Sequence, residues 1–289
     1  MKKISIALSA ALTLGFAACC NNAPTTCPHC GESLTDDVAV EAPVAEELQY
    51  DIKERPQIDL AAFPKDDEGW ITIFDGKTFN GWRGYLREDV PSRWTIEDGC
   101  IRFNGAGEGE AQSNDGGDII FAHKFKNFEL EVEWKIEKGG NSGIFYLAQE
   151  VEGQPIYISA PECQVLDDAN HPDAQLGAIK GIRQSSSLYD MIPAVPQNAN
   201  PYEQWNKVRI LSYQGTIAHF QNDTQVVEYH LWTPQWKELL DKSKFSQDKW
   251  PLAYDLLINC GGENHEGYIG FQDHGNNVWF RNIKVKILE

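Results

Sequence analysis

Two short stretches hold most of the residues able to do chemistry. In Pro161-Glu162-Cys163-Gln164-Val165-Leu166-Asp167-Asp168, strand alternation places Glu162 and Gln164 on one face and Cys163 and Val165 on the other. Polar residues that interrupt an apolar strand suggest the wall of a site, where a Glu whose pKa is raised by burial can act as a general base. A strand that simply faces water would read the same way. The loop that follows supplies Asp167, Asp168, His171 and Asp173, which are hard or borderline ligands. A divalent metal is compatible with them, although their spacing fits no metal-loop template and signals one only weakly. The second stretch, Gln272 to Asn277, lies between two strands, with Gln272 and His274 pointing the same way and Trp279 and Arg281 following. An aromatic platform beside Arg, His and Gln is what a sugar-sized ligand needs.

Other residues offer alternatives. Asn141, after Gly139-Gly140, could orient a sugar hydroxyl from a bend, although Asn and Gly are ordinary turn residues. Glu129, Glu131 and Glu133 share one strand face, as in a retaining glycosidase of the laminarinase type, but Glu131 stands where that pattern has an Asp, and a solvated face explains the row better. His219 is a lone strand histidine and reads as structural. A Ser nucleophile elbow, a phosphate-cradling Gly loop and a zinc-protease His pair do not occur in the chain.

The elements that must hold these residues are strands. Phe128 to Ile136 alternates throughout, with Phe128, Leu130, Val132, Trp134 and Ile136 on the buried side. Trp94 to Phe103 reads as a hairpin turning at Asp98-Gly99, and Asn206 to Glu228 as three further short strands. Tyr268 to Phe271 and Phe280 to Leu288 close the chain, with a bulge expected near Arg281, whose alternation conflicts with burial of Ile283 and Val285. One helix is expected at Thr233 to Phe245, capped by Thr233 and opened by Pro234. The fold class is therefore all-β, a sandwich or jelly roll with one short helix.

Residues 1–19 read as a leader: Lys2 and Lys3, an apolar run, small residues, then Cys19-Cys20, as in the lipobox of bacterial lipoproteins. Cys19 is then the lipidated residue, and the protein belongs to the bacterial cell envelope as a periplasmic or outer-membrane lipoprotein. Between Asn21 and Glu68, twelve acidic residues face three basic ones and aromatics are few, so residues 20–68 read as an acidic tether. Its Cys27 and Cys30 form a lone pair, short of a zinc ribbon. Residues 69–289 form one domain. Lys and Arg total 25 against 43 Asp and Glu, a net charge of −18, which argues against nucleic acid and leaves the lipid as the link to a membrane.

Taken together, Asn141 to Tyr146, Pro161 to Asp173, Ser187 to Asp190, Trp205-Asn206, Gln272 to Gly275 and Val278 to Ile283 resemble the 3-keto-disaccharide hydrolase family, also described as 3-keto-glucoside 1,2-lyase/3-keto-2-hydroxyglucal hydratase. The likeness runs from about Gly69 to Glu289. It departs at Cys163, where an aromatic is usual, and at Gln221-Asn222-Asp223, where Leu-Asn-Gly is common. It implies a concanavalin A-like sandwich that cleaves glycosides oxidised at carbon 3 by a separate enzyme. In that chemistry Glu162 and His171 or His274 would do the acid and base work. Arg281 and Gln272 would hold the enolate or hydroxyls, Trp279 would lie under the ring, and Asn141, Gln164 and Asp167 would orient the substrate. A non-catalytic carbohydrate-binding module, a conventional glycosidase and a structural lipoprotein are the competing readings.

Overall fold

The computed structural model describes residues 48–105 and 115–289. The leader, Cys19, the Cys27 and Cys30 pair and the start of the tether lie outside the described residues.

Among the described residues the chain forms β1 (Trp70–Thr72), β2 (Trp82–Gly84), β3 (Trp94–Glu97), β4 (Cys100–Phe103), β5 (Ile119–Phe125), β6 (Phe128–Ile136), β7 (Asn141–Ala148), β8 (Glu162–Leu166), β9 (Asn206–Tyr213), β10 (Thr216–Gln221) and β11 (Thr224–His230). Helices α1 (Pro234–Lys242) and α2 (Pro251–Ile258) precede β12 (Gly267–Phe271) and β13 (Val278–Ile287). Eight strands form one antiparallel sheet, in the order β11-β10-β9-β6-β13-β4-β3 with β1 also on β13. Five form the other, in the order β2-β5-β12-β7-β8.

The sandwich follows from period-two burial. Alternate residues of β6, from Phe128 to Ile136, are at most 1% exposed, while Glu129, Glu131, Glu133 and Lys135 face outward. Aromatic rings join the two sheets: Phe271 of β12 stacks on Phe280 of β13 with centroids 4.0 Å apart, and Phe125 of β5 meets Phe128 of β6 at 5.7 Å. Truncating such a ring costs about 3–5 kcal/mol. The β3–β4 turn places Asp98 and Gly99 at φ 49° and 76°, as a primed two-residue turn requires. The expected bulge in β13 is present: its register against β6 shifts between Arg281 and Lys284, and Asn282 takes φ 52°.

Two expectations need correction. The expected helix is α1, with Thr233 accepting from the Trp236 amide at 3.2 Å, but α2 is a second helix. Its Leu252, Ala253, Tyr254, Leu256, Leu257 and Ile258 leave almost no polar face, so helical periodicity was hidden. The tether also ends sooner than composition implied, because residues 51–289 form one compact unit. The Lys53 amide donates to the Glu150 carbonyl at 2.8 Å and the Ile58 amide to that of Ala122 at 2.8 Å. Glu54 pairs with Lys124, and Arg55 with the fully buried Glu150. Backbone bonds and ion pairs hold this strap, so hydropathy gave no sign of it.

The five-stranded sheet is covered on both faces. Its outer face carries a second apolar cluster that includes Tyr85, Ile120, Phe145, Ile156 and Tyr268, and no residue of β7 or β8 is exposed. Polar residues on these strands are therefore buried.

Candidate functional site

Strand pairing assembles the floor of the site. Across the β7–β8 ladder Phe145 faces Glu162 and Gly143 faces Gln164, so Asn141, Gly143, Glu162 and Gln164 share the outer face of the sheet. Ser142, Ile144, Cys163 and Val165 point the other way. Gln272 follows β12 and is tied to β7: its amide donates to the Gly143 carbonyl at 3.0 Å, and Ser142 Oγ donates to its carbonyl at 2.9 Å. Asn141 Nδ2 and His274 Nε2 are 3.2 Å apart. Tyr157, Tyr189, Lys244 and Trp250 complete the walls of a cavity of about 110 Å³.

The covering segment is fixed by hydrogen bonds. The Ser186 amide donates to the Gln164 carbonyl at 2.8 Å and the Tyr189 amide to that of Glu162 at 3.1 Å, so residues 186–189 run along the edge of β8. Arg183 bridges Asp173 (2.8 Å) and Asp190 (2.7 Å). Tyr189 donates its hydroxyl to Asp173 at 3.0 Å, and the Lys244 amide donates to Asp190 at 2.8 Å. Burial lowers the pKa of Lys244, against the pull of the Glu162 and Asp190 carboxylates.

The floor is buried and polar. Asn141, Glu162, Gln164 and Gln272 are each at most 7% exposed. Asn141 Oδ1 and Gln272 Oε1 find no hydrogen-bond partner among the described residues. Buried acceptors without donors are costly, and a ligand rich in hydroxyls would satisfy them.

Of the residues singled out from sequence, Asn141, Glu162, Gln164, Gln272 and His274 line this cavity together. His171 is not among its lining: its Nδ1 accepts from the Asp173 amide at 3.1 Å, and its ring stands edge-on to His274 at 6.2 Å. Burial, then the neighbouring His274, lowers its pKa. Asp167 ties its own loop to the β6–β7 turn, accepting from Asn170 Nδ2 and the Gly139 amide, both at 2.7 Å. Asp168 accepts from the Ser185 amide at 2.8 Å, and burial pushes its pKa up to about 6. Among the described residues no three His, Cys, Asp or Glu side chains gather as a metal-binding group.

Trp279 and Arg281 lie elsewhere. Residues 272–277 carry the chain from β12 in one sheet to β13 in the other, and these two side chains stand on the outer face of the eight-stranded sheet. Arg281 donates to Glu133 at 2.8 Å with its guanidinium 3.8 Å from the Trp205 ring centre, and Trp279 lies under Lys135 at 4.7 Å. The Glu129–Glu133 row is on that face too, paired with Arg209, Lys207, Lys284 and Arg281. Tyr157, Lys244 and Trp250 escaped the sequence reading, since they come from separate segments without a shared motif.

Comparison with known proteins identifies the family and the fold. The 3-keto-alpha-glucoside-1,2-lyase-like domain matches residues 69–286. The chain is 60% identical to a 3-keto-disaccharide hydrolase of Bacteroides thetaiotaomicron, over 100% of both chains. Two crystal structures from Parabacteroides distasonis, each named as a proposed glycosyl hydrolase, share the fold. One is 28% identical with a TM-score of 0.65, covering 77% of this chain and 95% of its own. The other is 24% identical with a TM-score of 0.53, covering 76% and 99%. The architecture is that of a jelly-roll β-sandwich, and the chain belongs to the 3-keto-alpha-glucoside-1,2-lyase-like domain family.

Proposed function

We propose that this protein hydrolyses 3-keto-disaccharides and related 3-keto-glucosides by elimination followed by hydration. One observation carries the reading: a buried carboxylate, Glu162, shares a covered cleft with two buried amide oxygens that lack donors. The full-length likeness to a 3-keto-disaccharide hydrolase supports the substrate class.

A carbonyl at carbon 3 acidifies the hydrogen on carbon 2, and the glycosidic oxygen on carbon 1 is then β to it. Glu162 takes that proton as general base. The electron pair left on carbon 2 passes through the enolate and forms the carbon 1–carbon 2 double bond as the carbon 1–oxygen bond breaks. His274, oriented by Asn141, gives the departing oxygen its proton. Water then adds across the unsaturated ketone and yields the free 3-keto sugar, a net hydrolysis. Asn141 Oδ1 and Gln272 Oε1 accept from sugar hydroxyls, Gln164 completes the floor, and Trp250 offers a ring face to the sugar.

The substrate must be supplied by a reaction that oxidises the carbon 3 hydroxyl. The leader-like residues 1–19 support an envelope lipoprotein anchored through Cys19.

The test compares a 3-keto-glucoside with its unoxidised parent, following aglycone release and the ultraviolet absorbance of the enone. Release from the keto sugar alone, lost about a hundredfold or more in Glu162→Gln, is expected. Sugar binding without turnover would replace this reading with a carbohydrate-binding module.

A further inference from the structure

Resting on that reaction, we infer that Lys244 is the oxyanion clamp of the site: its ammonium binds the carbon 3 carbonyl oxygen and carries the charge that oxygen gains in the enolate.

Three observations place it there. First, Lys244 is the one amine or guanidinium among the residues lining the cleft, and Arg281 stands on the other sheet. A reaction that builds negative charge on oxygen in a dry site needs a donor aimed at that oxygen.

Second, the ammonium is held in position. Its Nζ lies 4.4 Å from the ring centre of Tyr189, 5.0 Å from Phe245 and 5.6 Å from Tyr157, a box of aromatic faces that favours a cation. The backbone is pinned as well. The Lys244 amide donates to Asp190, Ser243 Oγ to the Leu240 carbonyl at 2.9 Å, and the Phe245 amide to Ser243 Oγ at 3.0 Å. Asp190 is bound in turn by Arg183, which fixes the tyrosine that forms one wall of the box.

Third, the polar groups of the cleft divide by type. Asn141 Oδ1 and Gln272 Oε1 are acceptors that call for hydroxyl donors. An ammonium only donates, so it matches a carbonyl oxygen, which only accepts. The lowered pKa of Lys244 reflects the same desolvation that strengthens its interaction with an oxyanion.

The step balances without a covalent bond to lysine. The carbon 2 proton goes to Glu162, and the electron pair moves onto the carbonyl oxygen while Lys244 keeps its three protons. The pair returns to expel the aglycone.

Three substrates are compared for wild type, Lys244→Met and Lys244→Arg: a nitrophenyl 3-keto-glucoside, its methyl counterpart, and a 1,5-anhydro-3-keto sugar that has no aglycone to expel. The last reports enolate formation alone, by exchange of the carbon 2 hydrogen in deuterated water. Lys244→Met is expected to slow all three by a similar factor of about a hundred. Lys244→Arg keeps part of the exchange rate. If Lys244→Met slows only the methyl glycoside, Lys244 serves the leaving group and the clamp is wrong. A borohydride-trapped adduct on Lys244 would overturn it in favour of an imine. If Lys244→Met does not fold, Lys244→Arg decides: exchange at the full wild-type rate together with selective loss on the methyl glycoside overturns the clamp. A wild-type protein inert on all three would instead bring down the proposed reaction itself.

Discussion

Gly143 and Glu162 fit together because position 143 has no side chain: a Cβ there would stand 2.3 Å from Glu162 Oε1 and 2.9 Å from its Cγ and Cδ. The carboxylate lies over the backbone of the neighbouring strand, which confines it to one place on the floor. Gly143→Ala must push it away, and misplacement of a general base by about 1 Å costs on the order of a hundredfold. The expected result is a fall in kcat of that size on a 3-keto-glucoside, with a melting temperature close to that of wild type. Full kcat in Gly143→Ala would mean that the position of Glu162 does not matter to the reaction.

How much of this was legible depended on whether a feature repeats along one segment or is assembled from several. The β6 alternation and the Asp98-Gly99 hairpin were readable because their physics is local. So was the pairing of Glu162 with Gln164, since period two alone puts them on one face. Arg281 was misplaced because nine residues of sequence separate it from Gln272 while a whole sheet separates them in space. Lys244 and Trp250 had no local signal at all. They become site residues only because the segment between α1 and α2 folds over β8, a tertiary fact. The strap at residues 51–58 hid for another reason, since its bonds run through backbone and charge rather than apolar side chains.

That strap and the core meet at Glu150, whose carboxylate is fully buried. It accepts two bonds from Arg83, at 2.6 and 2.7 Å, and one from the Leu86 amide at 2.6 Å, and it pairs with Arg55. Removing one partner of a buried ion pair leaves the other charge uncompensated and costs about 3–5 kcal/mol. Glu150→Ala is expected to lose stability in that range by urea denaturation. A loss below about 1 kcal/mol would assign the pair to the surface class.

The pH dependence of stability should carry the mark of His219. Its Nδ1 donates to the Ser186 carbonyl at 2.9 Å, so its Nε2 accepts from Tyr146 OH at 2.7 Å, and Tyr146 accepts in turn from Tyr229 at 2.7 Å. The imidazole is neutral, and burial lowers its pKa from 6.5 to about 4. The unfolded chain binds that proton more readily, so the stabilisation is complete above about pH 6.5 and fades as pH falls toward 4, by about 1.4 kcal/mol per unit. Against His219→Gln, the wild-type advantage measured by denaturant titration should shrink between pH 6.5 and 4.5. A constant gap over that interval would show that the histidine does not titrate between the folded and unfolded states.

The sharpest contrast lies between Gln272 and the pair Trp279 and Arg281, which their nearness in sequence groups together. Trp279 and Arg281 face away from the cleft, and the Arg281–Glu133 pair is partly exposed, so Arg281→Ala should cost less than about 1 kcal/mol of stability. Neither Trp279→Ala nor Arg281→Ala should change kcat/KM on a 3-keto-glucoside by more than about twofold. Gln272 is different: 6% exposed, with Oε1 awaiting a donor in the cleft. Gln272→Leu removes one acceptor for a sugar hydroxyl, worth about 1–1.5 kcal/mol, and should raise KM about tenfold while kcat changes less. Because the leucine no longer buries an unsatisfied oxygen, the free protein should be at least as stable as wild type. Higher KM with undiminished stability is the signature of a group kept for its ligand. If Arg281→Ala instead raised KM and Gln272→Leu did not, the substrate would have to bind on the eight-stranded sheet.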